Sequence, residues 1–275
     1  MKSLVIGANG FLGSNLINKL IDKGHKVTGV FNQNKSRVNP LAITVSFEDI
    51  KKLDAQEFDF IFYASGSFSS SYDQLIKINC LDLKMISDYF NTAKLIYISS
   101  INVYGDVSET IREDTSINNP NTYGLSKIAG EFIARNHPKF AIIRPCYLYG
   151  PKLDNRSFLP GLIDQVKAKS EIVLFGQGSR EQDYLYIDDA SELCYLAAIN
   201  DGNDIFLGAT GKSYSNQYIA NLIRMEDPSV KLTNMGQEFG KSIYLNPENT
   251  FTKLKWKPST GIQEGIKNMW YASFD

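Results

Sequence analysis

Three side chains near the middle of the chain, Ser100, Tyr123 and Lys127, have the types and spacing needed to move a proton to or from an alcohol oxygen. A phenol titrates near ~10 in water, too high for proton transfer at neutral pH. A lysine four residues further along a helix shares the phenol's face. Its ammonium would lower the phenol by favouring the phenolate. A serine hydroxyl beside the pair would hold the substrate oxygen. Such a group accepts a proton from an alcohol as hydride leaves, or gives one to a carbonyl as hydride arrives. Of the 15 tyrosines, Tyr123 alone has lysine at that offset.

Elements that could position these groups are legible around them. Ser3 to Ile6 reads as a buried strand, and Phe11, Leu12, Leu16, Ile17, Leu20 and Ile21 recur at helical spacing. Between them Gly7-Ala8-Asn9-Gly10-Phe11-Leu12-Gly13 forms a strand-to-helix turn, the place where a doubly wound sheet binds a dinucleotide. Gly7 would allow the turn, Gly10 would let amides approach a pyrophosphate, and Gly13 would let helix and strand pack closely. A second strand, Lys26 to Phe31, ends at Asn32, where NAD-preferring sheets carry a carboxylate, and Lys35 and Arg37 follow. That balance favours NADP over NAD. A cationic oxidised nicotinamide would help to acidify Tyr123.

Further strands are predicted over Leu41 to Phe47, Phe58 to Ala64, Lys94 to Ser99 and Phe140 to Arg144. The fourth strand runs into Ser65-Gly66-Ser67, small enough to admit a cofactor ribose, and the fifth ends in Ser99-Ser100. Gln74 to Asn91 reads as a helix buried on two sides. A later helix begins at Asn121 or Thr122 and ends before Pro138. Its stripe of Leu125, Ile128, Ala129, Phe132 and Ile133 predicts a core-facing side, with Tyr123 and Lys127 opposite it and facing a cleft. The fold class is α/β, a Rossmann-type doubly wound parallel sheet over 1–150. Residues 151–275 read as a smaller mixed lobe, with part of 184–200 returning to the sheet. Strands are expected there at Ile172 to Phe175, Tyr184 to Ile187, Asp204 to Leu207 and Ser242 to Leu245, and helices at Arg156 to Lys169, Asp188 to Asn200, Ser215 to Met225 and Ile262 to Trp270.

Composition excludes several classes. A formal net charge of −1 offers no electrostatic footprint for nucleic acid or an anionic membrane. No stretch approaches the ~20 apolar residues that span a bilayer. The N-terminus lacks the features of a signal peptide, and three scattered cysteines argue against a disulfide framework, so a cytoplasmic location is expected. Two histidines, neither near a cysteine pair, make a metal site or a histidine-dependent triad improbable.

The chain resembles an extended short-chain dehydrogenase/reductase, of the family acting on nucleotide-activated sugars. The resemblance rests on the glycine turn, on Ser99-Ser100-Ile101-Asn102-Val103-Tyr104-Gly105, on Tyr123-Gly124-Leu125-Ser126-Lys127, on Arg144-Pro145 and Tyr149-Gly150-Pro151, and on Gly176-Gln177-Gly178-Ser179-Arg180 through Ala190. Leu254-Lys255-Trp256-Lys257-Pro258 is similar to the family's closing segment. It implies that Ser100, Tyr123 and Lys127 are catalytic. It implies cofactor contacts from Gly7, Asn9, Gly10, Phe11, Leu12, Gly13, Asn32, Lys35, Arg37, Ala64, Ser65, Gly66, Asn79, Ser99, Tyr123, Lys127 and Pro145. Substrate contacts are implied from Ser67, Ser100, Asn102, Tyr147 and Arg180, the last a fork for a nucleotide diphosphate. It also implies a homodimer through helices 74–91 and 122–136. Sugar 4,6-dehydratases of the family carry an Asp-Glu pair after the catalytic hydroxyl, and here Ile101 and Asn102 occupy those positions. Tyr147 replaces an asparagine common in family epimerases. The expected activity is reduction of a nucleotide-linked 4-keto-sugar by NADPH. The alternatives are an NAD-dependent 4-epimerase and a non-catalytic cofactor-binding regulator.

Overall fold

Residues 1–66, 71–153 and 157–274 are described by the structure, a computed structural model, and Ser67 lies outside them. Apolar runs become short parallel strands, and intervening helices return over the faces of the sheet. In chain order the first half contains β1 (Lys2–Ile6), α1 (Phe11–Asp22), β2 (Lys26–Phe31), β3 (Ile43–Ser46), β4 (Phe60–Tyr63), α2 (Tyr72–Ile76), α3 (Leu83–Tyr89), β5 (Lys94–Ile98), α4 (Thr122–Arg135) and β6 (Phe140–Pro145). A π-helical segment, Lys77–Asp82, joins α2 to α3. The second half contains β7 (Tyr147–Tyr149), α5 (Phe158–Lys169), β8 (Glu171–Phe175), β9 (Glu181–Tyr186), α6 (Ile187–Ile199), β10 (Asp204–Gly208), β11 (Ser213–Ser215), α7 (Asn216–Glu226), β12 (Lys231–Met235), α8 (Glu248–Leu254) and α9 (Ile262–Phe274).

The main sheet has seven parallel strands in the order β10-β6-β5-β4-β1-β2-β3. The order reverses between β1 and β4, which opens a crevice beyond their carboxyl ends. Alternation along the strands assigns their faces. Leu4, Ile6, Leu95, Tyr97 and Ile142 pack with Leu83, Ile86 and Phe90 on one side. Val5, Phe62, Ile96 and Ile143 pack with Leu16, Leu20 and Leu193 on the other. Each such aliphatic side chain contributes about 1.5–3 kcal/mol by leaving water. After β6 the chain builds two small sheets, β11-β9-β7 and β12-β8, and returns to pair β10 beside β6.

Two helices depart from the sequence reading. In α4 the buried face is Gly124, Ser126, Lys127, Gly130, Glu131 and Ala134. Leu125 and Phe132, expected in the core, are 55% and 71% exposed. Tyr123 and Lys127 therefore do not point away from the sheet core: they lie on the side of α4 that meets β5. Small residues allow this close packing, since a Cβ on Gly130 would strike the Tyr97 hydroxyl. The stretch around α2 and α3 is likewise buried on one side only. Leu75, Leu83 and Ile86 are covered, while Ile76 and Leu81 are exposed. The strand expected over Ser242 to Leu245 is absent. Its backbone groups divide between partners, with Ile243 N donating to Glu181 O and Tyr244 O accepting from Ile111 N, so neither pairing extends.

Candidate active site

The glycine turn is shaped by backbone approach. Gly7 has φ 85° and its N–H, with that of Ala8, bonds the Val30 carbonyl. A Cβ on Gly7 would lie 2.8 Å from the Ser65 nitrogen, so β4's exit passes directly beside the turn. A Cβ on Gly13 would collide with the Gly7 carbonyl oxygen. Gly10 is the N-cap of α1 and brings no side-chain acceptor to its first amides, so they remain available to an anion. Phe11 and Leu12 begin that helix, half-buried and buried. Asn9 fastens the loop after β2: its Oδ1 accepts from Arg37 N at 2.8 Å, and its Nδ2 donates to Asn34 Oδ1. Asn32 and Lys35 are exposed on that loop, and Lys35 Nζ donates to Thr44 Oγ1 at 3.2 Å.

Ser100, Tyr123 and Lys127 come together across the ends of β5 and α4. Ser100 caps a 3-10 turn, Ile101–Tyr104, its Oγ accepting from Asn102 N at 3.1 Å. The Asn102 carbonyl in turn abuts Gly124 at the start of α4. Asn121 caps α4 by accepting from Gly124 N at 2.8 Å. The Tyr123 phenol hydrogen-bonds with Ser100. Lys127 Nζ donates to the Ile98 carbonyl at 3.0 Å and stands 5.9 Å from the Tyr123 ring centroid. A Cβ on Gly66 would lie 3.2 Å from Lys127 Nζ and 3.9 Å from Asn79 Oδ1. Ala64, Ser65 and Gly66 therefore link the glycine turn to the lysine.

The electrostatics differ from the sequence expectation. Burial pushes the Tyr123 phenol up to about 12, and the Ser100 hydrogen bond opposes this only in part. Burial also pulls Lys127 down to about 8, against the opposing influence of Cys80 and Glu131. Desolvation decides the direction in this chain, and the phenol keeps its proton at neutral pH.

Asn79 sits in the π-helical segment and is fully buried. Its Nδ2 donates to Ser126 Oγ at 2.9 Å, while Oδ1 has no hydrogen-bond partner among the described residues. A buried, unpaired amide oxygen is costly unless something meets it. With the open amides of α1, the glycines and the lysine, it makes a donor and acceptor set that fits a dinucleotide laid from α1 to Lys127. Pro145, at the end of β6, packs its Cα near Gly208 of β10.

The small β11-β9-β7 sheet brings together Tyr147, on β7, and Arg180, just before β9. Arg180 Nη2 donates to the Tyr147 hydroxyl at 3.4 Å, and its Nε to the Lys241 carbonyl at 3.0 Å. The Glu238 carboxylate accepts from the amides of Ser179 and Arg180, both at 2.9 Å, which fixes the loop around Arg180. Sequence reasoning missed Glu238, which lies in a stretch without periodicity. It also missed Glu131, whose signal was a carboxylate four residues after Lys127. Both Glu131 and its partner Arg144 are buried, and Ser99 donates to Glu131 at 2.6 Å.

The sequence model of the NAD dependent epimerase/dehydratase family matches residues 3–208. A putative UDP-glucose 4-epimerase of Methanocaldococcus jannaschii is 26% identical, over 97% of this chain and 96% of that protein. The structure of a UDP-glucose 4-epimerase of Thermotoga maritima with UDP-glucose superposes with a TM-score of 0.88 at 24% identity, covering 100% and 99% of the two chains. A UDP-glucuronic acid 4-epimerase of Bacillus cereus, in complex with UDP-glucuronic acid and NAD, gives 0.86 at 21% identity over the same shares.

Proposed function

Because the chain belongs to the NAD-dependent epimerase/dehydratase family, we propose that it is a nicotinamide-dinucleotide enzyme that inverts C4 of a UDP-linked hexose. The main sheet with its glycine turn holds the dinucleotide, and residues 151–275 supply most of the sugar-nucleotide site. The observation that carries this reading is the Ser100–Tyr123–Lys127 cluster, linked to the glycine turn through Ala64–Gly66. Gly7, Gly10, Gly13, Gly66, Asn79 and Lys127 are the residues that would hold the cofactor, which supplies a hydride acceptor and donor when bound.

Tyr123, protonated as the structure stands, is set to give a proton to the C4 oxygen, which the Ser100 hydroxyl holds in reach. To accept the 4-hydroxyl proton it must first ionise, which the positive charge of an oxidised nicotinamide would favour. Lys127 keeps a positive charge beside the site at neutral pH, and loses it as pH rises through about 8. Arg180, steadied by Tyr147, meets the substrate diphosphate. Ile101 and Asn102 carry no carboxylate, which supports a reaction without loss of water.

A second reading, reduction of a nucleotide-linked 4-keto-sugar by NADPH, is favoured by one observation. The loop after β2 offers Asn32, Lys35 and Arg37 and no carboxylate to oppose a ribose 2′-phosphate. The two separate on the purified protein. An epimerase interconverts UDP-glucose and UDP-galactose with catalytic or co-purified NAD and no net change at 340 nm. A reductase consumes added NADPH in step with a 4-keto-sugar nucleotide. Turnover in neither assay sinks both.

We also infer a homodimer. Leu125 and Phe132 of α4, Ile76 of α2 and Leu81 of the π-helical segment are exposed apolar residues that a second copy would cover as a four-helix bundle. Phe132→Glu places a charge there and is expected to give a folded monomer by light scattering at micromolar concentration. A wild-type monomer under those conditions contradicts the inference.

A further inference from the structure

A buried charge cluster lies directly under the proposed proton-transfer groups without touching substrate. Glu131 follows Lys127 by four residues and shares its face of α4. Its Oε1 accepts from Ser99 Oγ at 2.6 Å and Arg144 Nε at 2.8 Å, and its Oε2 from Arg144 Nη2 at 2.7 Å. Arg144 continues through Nη1 to the Tyr104 hydroxyl at 2.8 Å and the Glu113 carbonyl at 3.0 Å. Ser99 precedes Ser100, and Tyr104 ends the turn that Ser100 caps. The cluster therefore grips both ends of the segment carrying Ser100, and the helix carrying Tyr123 and Lys127.

We propose that Glu131 is the positioning residue of this site, fixing the Ser100 turn against the helix that carries Tyr123 and Lys127, with its carboxylate one helical turn from Lys127. The inference takes from the functional reading what Ser100 and Lys127 do. Stability alone gives little reason for the pair, because an apolar pair of similar volume commonly serves a core as well. The groups facing Lys127 single out the carboxylate. From β5 come the Ile98 carbonyl and the Tyr97 ring, 5.2 Å from Nζ; from the π-helical segment comes Cys80; from α4 come Tyr123 and Glu131. Burial raises Tyr97, Cys80 and Tyr123, so all three are neutral near pH 7. Glu131, on Lys127's own face of α4, is the carboxylate among these groups.

The test reads Lys127 itself, by NMR of lysine labelled with carbon-13 at Cε, the signal assigned with Lys127→Met. Glu131→Gln alone strands Arg144 without an anion and is expected to fold poorly. Glu131→Gln/Arg144→Met removes both charges and retains a filled core. In the folded double variant, Lys127 is expected to titrate about one pH unit lower than in the wild type. The high-pH limb of kcat should move down with it, with KM for the sugar nucleotide within threefold. An unmoved Lys127 titration overturns the proposal. So does a double variant that cannot fold, because the pair's role would then be structural. A wild-type protein whose Lys127 responds as expected but which turns over no sugar nucleotide leaves this inference standing and sinks the functional reading instead.

Discussion

Tyr123→Phe is expected to lower turnover by about 10²- to 10⁴-fold while leaving dinucleotide binding within threefold of wild type. The substitution removes one oxygen and keeps the ring. That oxygen hydrogen-bonds with Ser100, and burial holds its proton in place up to about 12. No other side chain of the cluster can substitute at that point. Ser100 already accepts from Asn102 N, and Lys127 is committed to the Ile98 carbonyl. Loss of a single hydrogen bond costs about 0.5–1.5 kcal/mol, so the melting temperature should fall by only a few degrees. Steady-state kinetics, a fluorescence titration with dinucleotide and a thermal melt on one preparation check all three parts. Activity within threefold of wild type would remove Tyr123 from the chemistry.

Gly13→Ala should act on the other half of the site. The added Cβ meets the Gly7 carbonyl oxygen and also approaches the Ala8 Cα. Both obstacles are backbone, held by the bonds from Gly7 and Ala8 to Val30, so no side chain can yield. Relief requires α1 to move away from β1. Overpacking of this kind costs about 1–3 kcal/mol. The same movement spreads the amides that would meet a pyrophosphate, so dinucleotide affinity should fall by at least about tenfold, equivalent to ~1.4 kcal/mol. Gly161→Ala, in a helix with nothing within 4 Å of the new carbon, is the matched control. It should be neutral or stabilising by up to about 1 kcal/mol, with affinity unchanged. Equal effects of the two changes in melts and titrations would refute the steric account.

The central strands β1, β4, β5 and β6 were legible because they are buried on both faces, so each carries a run of apolar residues bounded by turn residues. The glycine turn was legible because close backbone approach leaves glycine as the fitting residue. Helix α4 was misread for a physical reason. Periodicity assigns apolar residues to the core, but here Lys127 and Glu131 are buried with their polar atoms satisfied, and Leu125 and Phe132 are exposed. Burial likewise reversed the expected direction for Tyr123, since a sequence shows a neighbouring cation but not the loss of water. Strands β7 and β11 have three residues each, too few to display a period. The pairing of Tyr147 with Arg180 joins segments 33 residues apart through tertiary structure. The glycine-rich motif had pointed to Arg180 but could not reveal its partner.

The late return of β10 has a consequence for biosynthesis. Residues 140–145 of β6 leave the ribosome long before their neighbour at 204–208 exists. At about 5–20 residues per second, that gap lasts roughly 3–12 s. Throughout it, the nascent sheet presents β6 as a bare, strongly apolar margin on which another unfinished chain can nucleate. Chaperone demand during translation should therefore concentrate on this interval and end when Asp204–Gly208 docks.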